Sequence, residues 1–232
     1  MDALNWQGAI HHIRPYIVRV STPGGFGTGF LFAYTANGAF CGIATAAHVV
    51  QHAHSWEQPI RIQHHASGYE LSLRPAQRGV LLEEGIDTAA IVFPGDPNLP
   101  RGLPDLLEEG NFIQQGVEVG WMGFPQIQSH ALCFFSGRIS AWDKQSGGYF
   151  IDGVAIHGVS GGPAVFLEGP KAHVIGVVSA YLPNQTTGGA LPGLCFISGL
   201  SQLQRSIKAL KNLEEVQEKQ SSAESKQFDP AP

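Results

Sequence analysis

The chain is broken at short intervals by glycine and proline, and the apolar runs between the breaks are too brief for buried helices. Such runs occupy 16–20, 27–33, 40–45, 59–64, 69–73, 79–82 and 89–93. After a proline-rich stretch, 95–104, they resume at 117–122, 132–142, 149–152, 164–166, 174–180 and 194–197. They favour Val, Ile and Phe, the residues that suit a pleated, half-buried surface. With 29 Gly and 15 Pro in 232 residues, turns are frequent enough to separate many strands. Roughly six strands fall on each side of the proline-rich stretch, which predicts an all-β chain of two six-stranded antiparallel β-barrels. The first is expected over 1–100 and the second over 111–199, with a short helix at 103–109 between them. Over 200–216, Leu200, Leu203, Ile207, Leu210 and Leu213 recur every three or four residues, so the expected ending is a C-terminal amphipathic helix. The polar remainder, 217–232, is expected to be a disordered tail.

Hydrophobic content of 43% and charged content of 14% belong to an ordinary globular protein. The net charge of −5 gives no support for a nucleic-acid partner, which would favour a basic face. Residues 1–20 lack the basic start and apolar run of a secretory signal. No segment approaches the roughly 20 apolar residues needed to span a bilayer. Cys41, Cys133 and Cys195 are odd in number, far apart and set in apolar strand contexts, so buried free thiols are expected rather than a disulfide. A cytoplasmic protein with no membrane association is the resulting expectation.

One stretch does not fit a purely structural reading. HGVSGGPAVF, 157–166, puts Ser160 among three glycines and then returns to strand-like residues. Glycines there cost backbone entropy, so something needs backbone N–H groups and an unhindered approach. A serine hydroxyl is a poor nucleophile without a base. His48 offers one, in FCGIATAAHVV at the end of a β-rich run; Asp87, in EEGIDTAAIVF, is a carboxylate leading straight into an apolar strand. A base of this kind needs an acceptor on its second ring nitrogen. Taken singly, Ser160 also reads as a hairpin residue, His48 as a packed helix-start histidine and Asp87 as a strand cap. His52, His54, His64 and His65 suggest zinc, but no Cys, Asp or Glu completes a recognisable ligand set, and a solvated loop is expected. GGFGTGF, 24–30, has no lysine after it and carries no nucleotide role.

The order His48, Asp87, Ser160 is that of the chymotrypsin-type triad. TAAHVV, GIDTAAIVF and GVSGGPAVF resemble the three signature segments of trypsin-like serine peptidases. VGWMGFP and FFSGRISAW resemble the early second-barrel strands of bacterial trypsin-like and Deg-type peptidases, and VIGVVSAY resembles the strand lining their cleft. The likeness runs in order over roughly 14–200. It implies the chymotrypsin fold and a serine endopeptidase acting through an acyl-enzyme. Ser160 is then the nucleophile, His48 the base and Asp87 its orienter, and the amides of Gly158 and Ser160 form the oxyanion hole. Gly161 and Gly162 would allow close approach of strands and substrate. No metal or organic cofactor is implied, and the substrate would be a protein or peptide.

Two departures from digestive relatives are visible. Val159 replaces the acid that pairs with a freed amino terminus, so activation by terminal cleavage is not expected. Given the short stretch beyond the last strand, the carboxyl-terminal peptide-binding (PDZ) domain common in Deg-type relatives is not expected. By position, Val154 would sit at the base of the primary pocket, with Ser179, Ala180 and Tyr181 along one wall. Without an acid at that base, a small or medium apolar side chain is expected, and His157 at the border offers a polar or acidic alternative. The rival reading is a peptidase-like binding module, or an effector whose peptidase is switched on by a partner; a regulatory partner or an oligomer is the matching expectation.

Overall fold

The computed structural model describes residues 5–183 and 190–227, with side chains described except at 180–183, 190–192, 213 and 216–227. Among the described residues there are fourteen strands and three α-helices. The first sheet holds β1 (Ile17–Thr22), β2 (Gly25–Tyr34), β3 (Phe40–Thr45), β4 (Ile60–His64), β5 (Glu70–Leu73), β6 (Gly79–Glu83) and β7 (Thr88–Pro94). Its order is β5-β4-β1-β2-β3-β7-β6, antiparallel throughout. The second sheet holds β8 (Asp105–Leu106), β9 (Glu118–Gly123), β10 (Cys133–Asp143), β11 (Gly148–Asp152), β12 (Pro163–Glu168), β13 (Lys171–Pro183) and β14 (Ala190–Gly199). Six of these run β12-β9-β10-β11-β14-β13, and the pairing of β12 with β13 closes the ring.

The expected two-barrel, all-β architecture is present, with a difference in closure. The second half is a closed six-stranded antiparallel barrel. The first is a curled sheet of seven strands, and among the described residues no ladder joins its edges β5 and β6. Each half has its own core, around Leu31, Ile43 and Ile91 in the first and Trp121, Ile151 and Ile197 in the second. A third cluster lies between them, where Phe30 and Phe32 of β2 meet Met122, Phe124 and Val177. Successive side chains of a strand point to opposite faces. Leu31 therefore faces the inner core while Phe30 and Phe32 face the seam, and β2 is buried on both sides.

Local expectations fail where tertiary packing overrides propensity. The segment expected to be a helix at 103–109 is instead the short strand β8, paired in parallel with β13 through Asp105↔His173 and Leu106↔Val174. Pro104 disfavours a helical turn before it, and the open edge of β13 supplies partners for the backbone. The helix α1 (Trp6–Ile13) was not expected, because Gly8 and two histidines give it little intrinsic propensity. Asn5 caps it by accepting from the Gly8 N–H at 2.8 Å. Packing fixes it on the second barrel: Trp6 Nε1 donates to Glu118 at 2.8 Å, Trp6 and Phe134 lie 5.4 Å apart, and Ala9 and Ile13 enter the seam.

The C-terminal helix α3 spans Ser201–Gln227, past the expected end at 216 and into the segment expected to be disordered. That segment is rich in Gln, Glu and Lys, which favour a helix once a preceding turn nucleates it. Leu203 and Leu210 are buried on its inner face. So is Glu214, whose carboxylate accepts from the N–H groups of Ala36 at 3.0 Å and Asn37 at 2.7 Å. Arg205 pairs with Glu83 at 2.9 Å. The helix leaves the second barrel and grips the first. No helix among the described residues is long and apolar enough to cross a membrane. Cys41 and Cys195 are buried free thiols, each pushed up to about 12 by burial, and Cys133 is a partly buried free thiol.

Candidate active site

The helix α2 (Ala47–Ser55) begins where β3 ends, and its N-cap, Ala46, has no side chain able to cap it. The cap comes from elsewhere in the chain. Asp87 accepts from the Ala47 N–H through its carbonyl at 3.2 Å and from the His48 N–H through Oδ1 at 3.0 Å. A carboxylate against the positive end of a helix is favourable. Asp87 reaches this place through the tight turn Glu84–Ile86 and a left-handed backbone, φ 49° and ψ 47°, which aspartate tolerates better than most residues.

The same carboxylate meets the His48 ring, with Nδ1 at 2.8 Å from Oδ2 and 3.0 Å from Oδ1. An ionised carboxylate can only accept, so in neutral His48 the proton sits on Nδ1 and Nε2 keeps its lone pair. Ser179, 5% exposed on β13, donates its hydroxyl to Oδ2 from behind. Burial pushes the Asp87 carboxyl upward, but the bonds from the His48 ring, Ser179 and the His48 N–H outweigh it. Asp87 is held below the usual carboxylate value and is charged at neutral pH.

Ser160 lies in the loop between β11 and β12. Gly158 has φ 91°, and a Cβ there would stand 2.2 Å from the Phe124 carbonyl oxygen, so only glycine fits. Val159, where digestive relatives carry an acid, is fully buried. The loop is tied on both sides. Val159 N–H donates to Ile156 at 3.0 Å, Gly161 N–H to Val178 at 2.6 Å and Gly162 N–H to Val159 at 3.0 Å. The carbonyl of His157 accepts from Gln126 N–H at 2.7 Å. Among the described residues, the N–H groups of Gly158 and Ser160 are the loop amides from 158 to 162 that meet no protein acceptor. Both residues line a cleft of about 290 Å³ together with His48, Val49, His52, Phe26, Gln126 and His157. Among the described residues no hydrogen bond joins His48 to Ser160.

Of the expected pocket residues, His157 lines the cleft, and Ser179 turns its hydroxyl to the Asp87 carboxylate. Val154 is 50% exposed, which is not the setting of a pocket floor, and its carbonyl accepts from Trp121 Nε1 at 3.2 Å. The side chains of Ala180 and Tyr181 lie outside the described residues. The histidines read as a solvated loop are not one. His52 and His54 belong to α2, and His64 lies in β4, 5% exposed, bonded to Pro15 at 2.7 Å and Ser67 at 2.8 Å. Among the described residues no three His, Cys, Asp or Glu side chains gather as metal ligands would. Two residues escaped the sequence reading: Ser179 in its contact with Asp87, and Thr28, a fully buried hydroxyl between two glycines of β2. A polar residue inside a run otherwise fit for burial was the one available signal.

Comparison with known proteins bears on the fold and the family. Curated protein sequences give no match. The structure resembles Deg5 at a TM-score of 0.64 and 18% identity, covering 87% of this chain and 94% of that one. It resembles the serine endoprotease from Yersinia pestis at 0.63 and 19%, covering 90% and 67%. An inactive serine-to-alanine mutant of Rv3671c from M. tuberculosis H37Rv matches at 0.60 and 17%, covering 87% and 89%. At such identities these likenesses speak for the fold, which is chymotrypsin-like. The sequence itself matches the family model described as the trypsin-like peptidase domain over residues 27–177. That span takes in all three signature segments, and the chain belongs to the trypsin-like peptidase family.

Proposed function

We propose that the protein is a serine endopeptidase in which Ser160 Oγ attacks a peptide carbonyl as His48 Nε2 takes its proton. Asp87 keeps the opposite proton on Nδ1 and stabilises the imidazolium that forms. The carbonyl oxygen becomes an oxyanion between the N–H groups of Gly158 and Ser160, each donor contributing roughly 3–4 kcal/mol to the transition state. Collapse of the tetrahedral intermediate breaks the C–N bond, and His48 returns the proton to the leaving amine. A water molecule gives a proton to His48 and attacks the acyl carbon, and the bond from that carbon to Ser160 Oγ breaks as His48 returns the proton to Oγ. The observation that carries the reading is His48, doubly contacted by Asp87 and lining one cleft with Ser160 and Gly158, whose amides meet no acceptor among the described residues. Ser160→Ala is expected to abolish both labelling by a fluorophosphonate and hydrolysis of fluorescein-casein, with unchanged melting. Hydrolysis that survives the substitution refutes the reading.

One observation favours a second reading. With no hydrogen bond from Ser160 to His48, a resting protein that binds peptides and cuts them only with a regulatory partner fits as well. Catalytic hydrogen bonds often tighten only when substrate is bound, which keeps the first reading ahead. A fluorophosphonate-silent wild-type protein that still binds peptides tightly would reverse that order.

A further inference from the structure

Thr28 sits at the middle of β2, and its hydroxyl is wholly buried. Two buried groups compete for that oxygen. The Phe124 N–H, at the end of β9, approaches at 3.0 Å and can only donate. The hydroxyl must therefore accept from it, and its single proton is directed to the remaining partner, the carbonyl of Gly158, at 2.7 Å. The backbone of the same residue holds the next turn of the loop: Thr28 N–H donates to the carbonyl of Ser160 at 2.8 Å. Its own carbonyl accepts from Thr45 Oγ1 at 2.7 Å, which ties β2 to β3 just ahead of His48. A Cβ on Gly161 would lie 2.0 Å from that carbonyl oxygen, so loop and strand are already in contact.

One residue thus grips the carbonyls of both Gly158 and Ser160, the two cleft-lining residues whose amides meet no acceptor among the described residues. We infer that Thr28 is a positioning residue that sets the direction of those two amides, coupling the strand beside His48 to the loop that carries Ser160. This rests on the reading of the Gly158 and Ser160 amides as the oxyanion site. The geometry has a chemical logic. The N–H groups of Gly158 and Ser160 share the peptide planes of the His157 and Val159 carbonyls, which the Gln126 and Gly162 N–H groups hold, while Thr28 holds the planes that follow the same two residues, so the backbone at each is fixed from both sides. The Thr28 hydroxyl, on the first sheet, accepts from the end of β9 and donates to the loop after β11, so one group ties both parts of the second barrel to β2. Valine has the same shape and can do neither, while serine can do both.

The test is a graded series, Thr28→Ser, Thr28→Cys and Thr28→Val, probed by fluorophosphonate labelling of the full chain, with kinact and KI measured separately. Loss of one oxyanion donor costs about 100- to 1000-fold in comparable hydrolases. Donors displaced rather than removed should cost about 10- to 100-fold. Valine is expected to lower kinact by that factor with KI unchanged, serine to stay near wild type and cysteine to fall between. The pH at half-maximal rate should not move, since the His48–Asp87 pair is untouched. If the valine variant does not fold, the cysteine variant carries the test at a temperature below its melting. A folded valine or cysteine variant with wild-type kinact, a loss confined to KI, or a serine variant as slow as valine would overturn the inference. A wild-type protein that never labels would instead overturn the peptidase reading on which it rests.

Discussion

Replacing Asp87 by asparagine separates the two tasks of that carboxylate. Three donors converge on it: the His48 ring Nδ1–H, the His48 backbone N–H and the Ser179 hydroxyl. Asparagine has one acceptor oxygen and one NH2. If the oxygen takes the Oδ1 place, it keeps the backbone N–H, and the NH2 faces the imidazole and Ser179. Nδ1 is then forced to accept, the ring proton moves to Nε2, and His48 can no longer take a proton from Ser160. If the amide is reversed, two N–H groups collide at the start of α2. The first arrangement is favoured, so the fold survives with the wrong tautomer. In the chymotrypsin-type template this change lowers kcat about 10⁴-fold, equivalent to about 5.4 kcal/mol. The weakened helix cap should cost about 1–2 kcal/mol of stability, or about 2–8 °C in melting temperature for a chain of this size. Casein hydrolysis and calorimetry on the same preparation measure both. An Asp87→Asn variant within tenfold of wild-type turnover, or one whose activity falls only as far as its melting temperature explains, would refute this account of Asp87.

Ser179→Ala removes one of the donors that hold Asp87 below its usual value. The folded-state value should rise, so the stability Asp87 contributes above about pH 4 becomes smaller and is lost sooner as the pH falls. An acid-unfolding midpoint displaced to higher pH is expected, and no displacement would count against the Ser179 contact. Glu214→Ala leaves the Ala36 and Asn37 amides without their acceptor and should lower stability by about 1–3 kcal/mol. Its melting temperature would fall by several degrees while fluorophosphonate reactivity per folded molecule stays unchanged.

The strands and the three signature segments were legible because each is written locally, in alternation, turn residues and a few contiguous side chains. Cys41 and Cys195 were legible as buried thiols for the same reason. What escaped depends on partners far away in the chain. The bond from Thr28 to Gly158 spans 130 residues, that from Ser179 to Asp87 spans 92, and that from Glu214 to Ala36 spans 178. A hydroxyl or carboxylate carries no mark of which distant amide it will meet. Asp87 shows the division within one residue. Its service to His48 followed from its place before an apolar strand, but its capping of α2 followed only from the lack of any capping side chain at Ala46. The segment at 103–109 failed for a related reason, since its composition allows a helix and only the edge of β13 makes it a strand.

The two outer helices are crossed. α1 precedes the first sheet yet lies on the second barrel, and α3 follows the second barrel yet clasps the first sheet. The connection at 95–104 is therefore not what keeps the halves together. A peptide bond cut there would leave each fragment holding a helix embedded in the other. The cleft, whose walls come from both fragments, would persist in the nicked protein for as long as those embraces last.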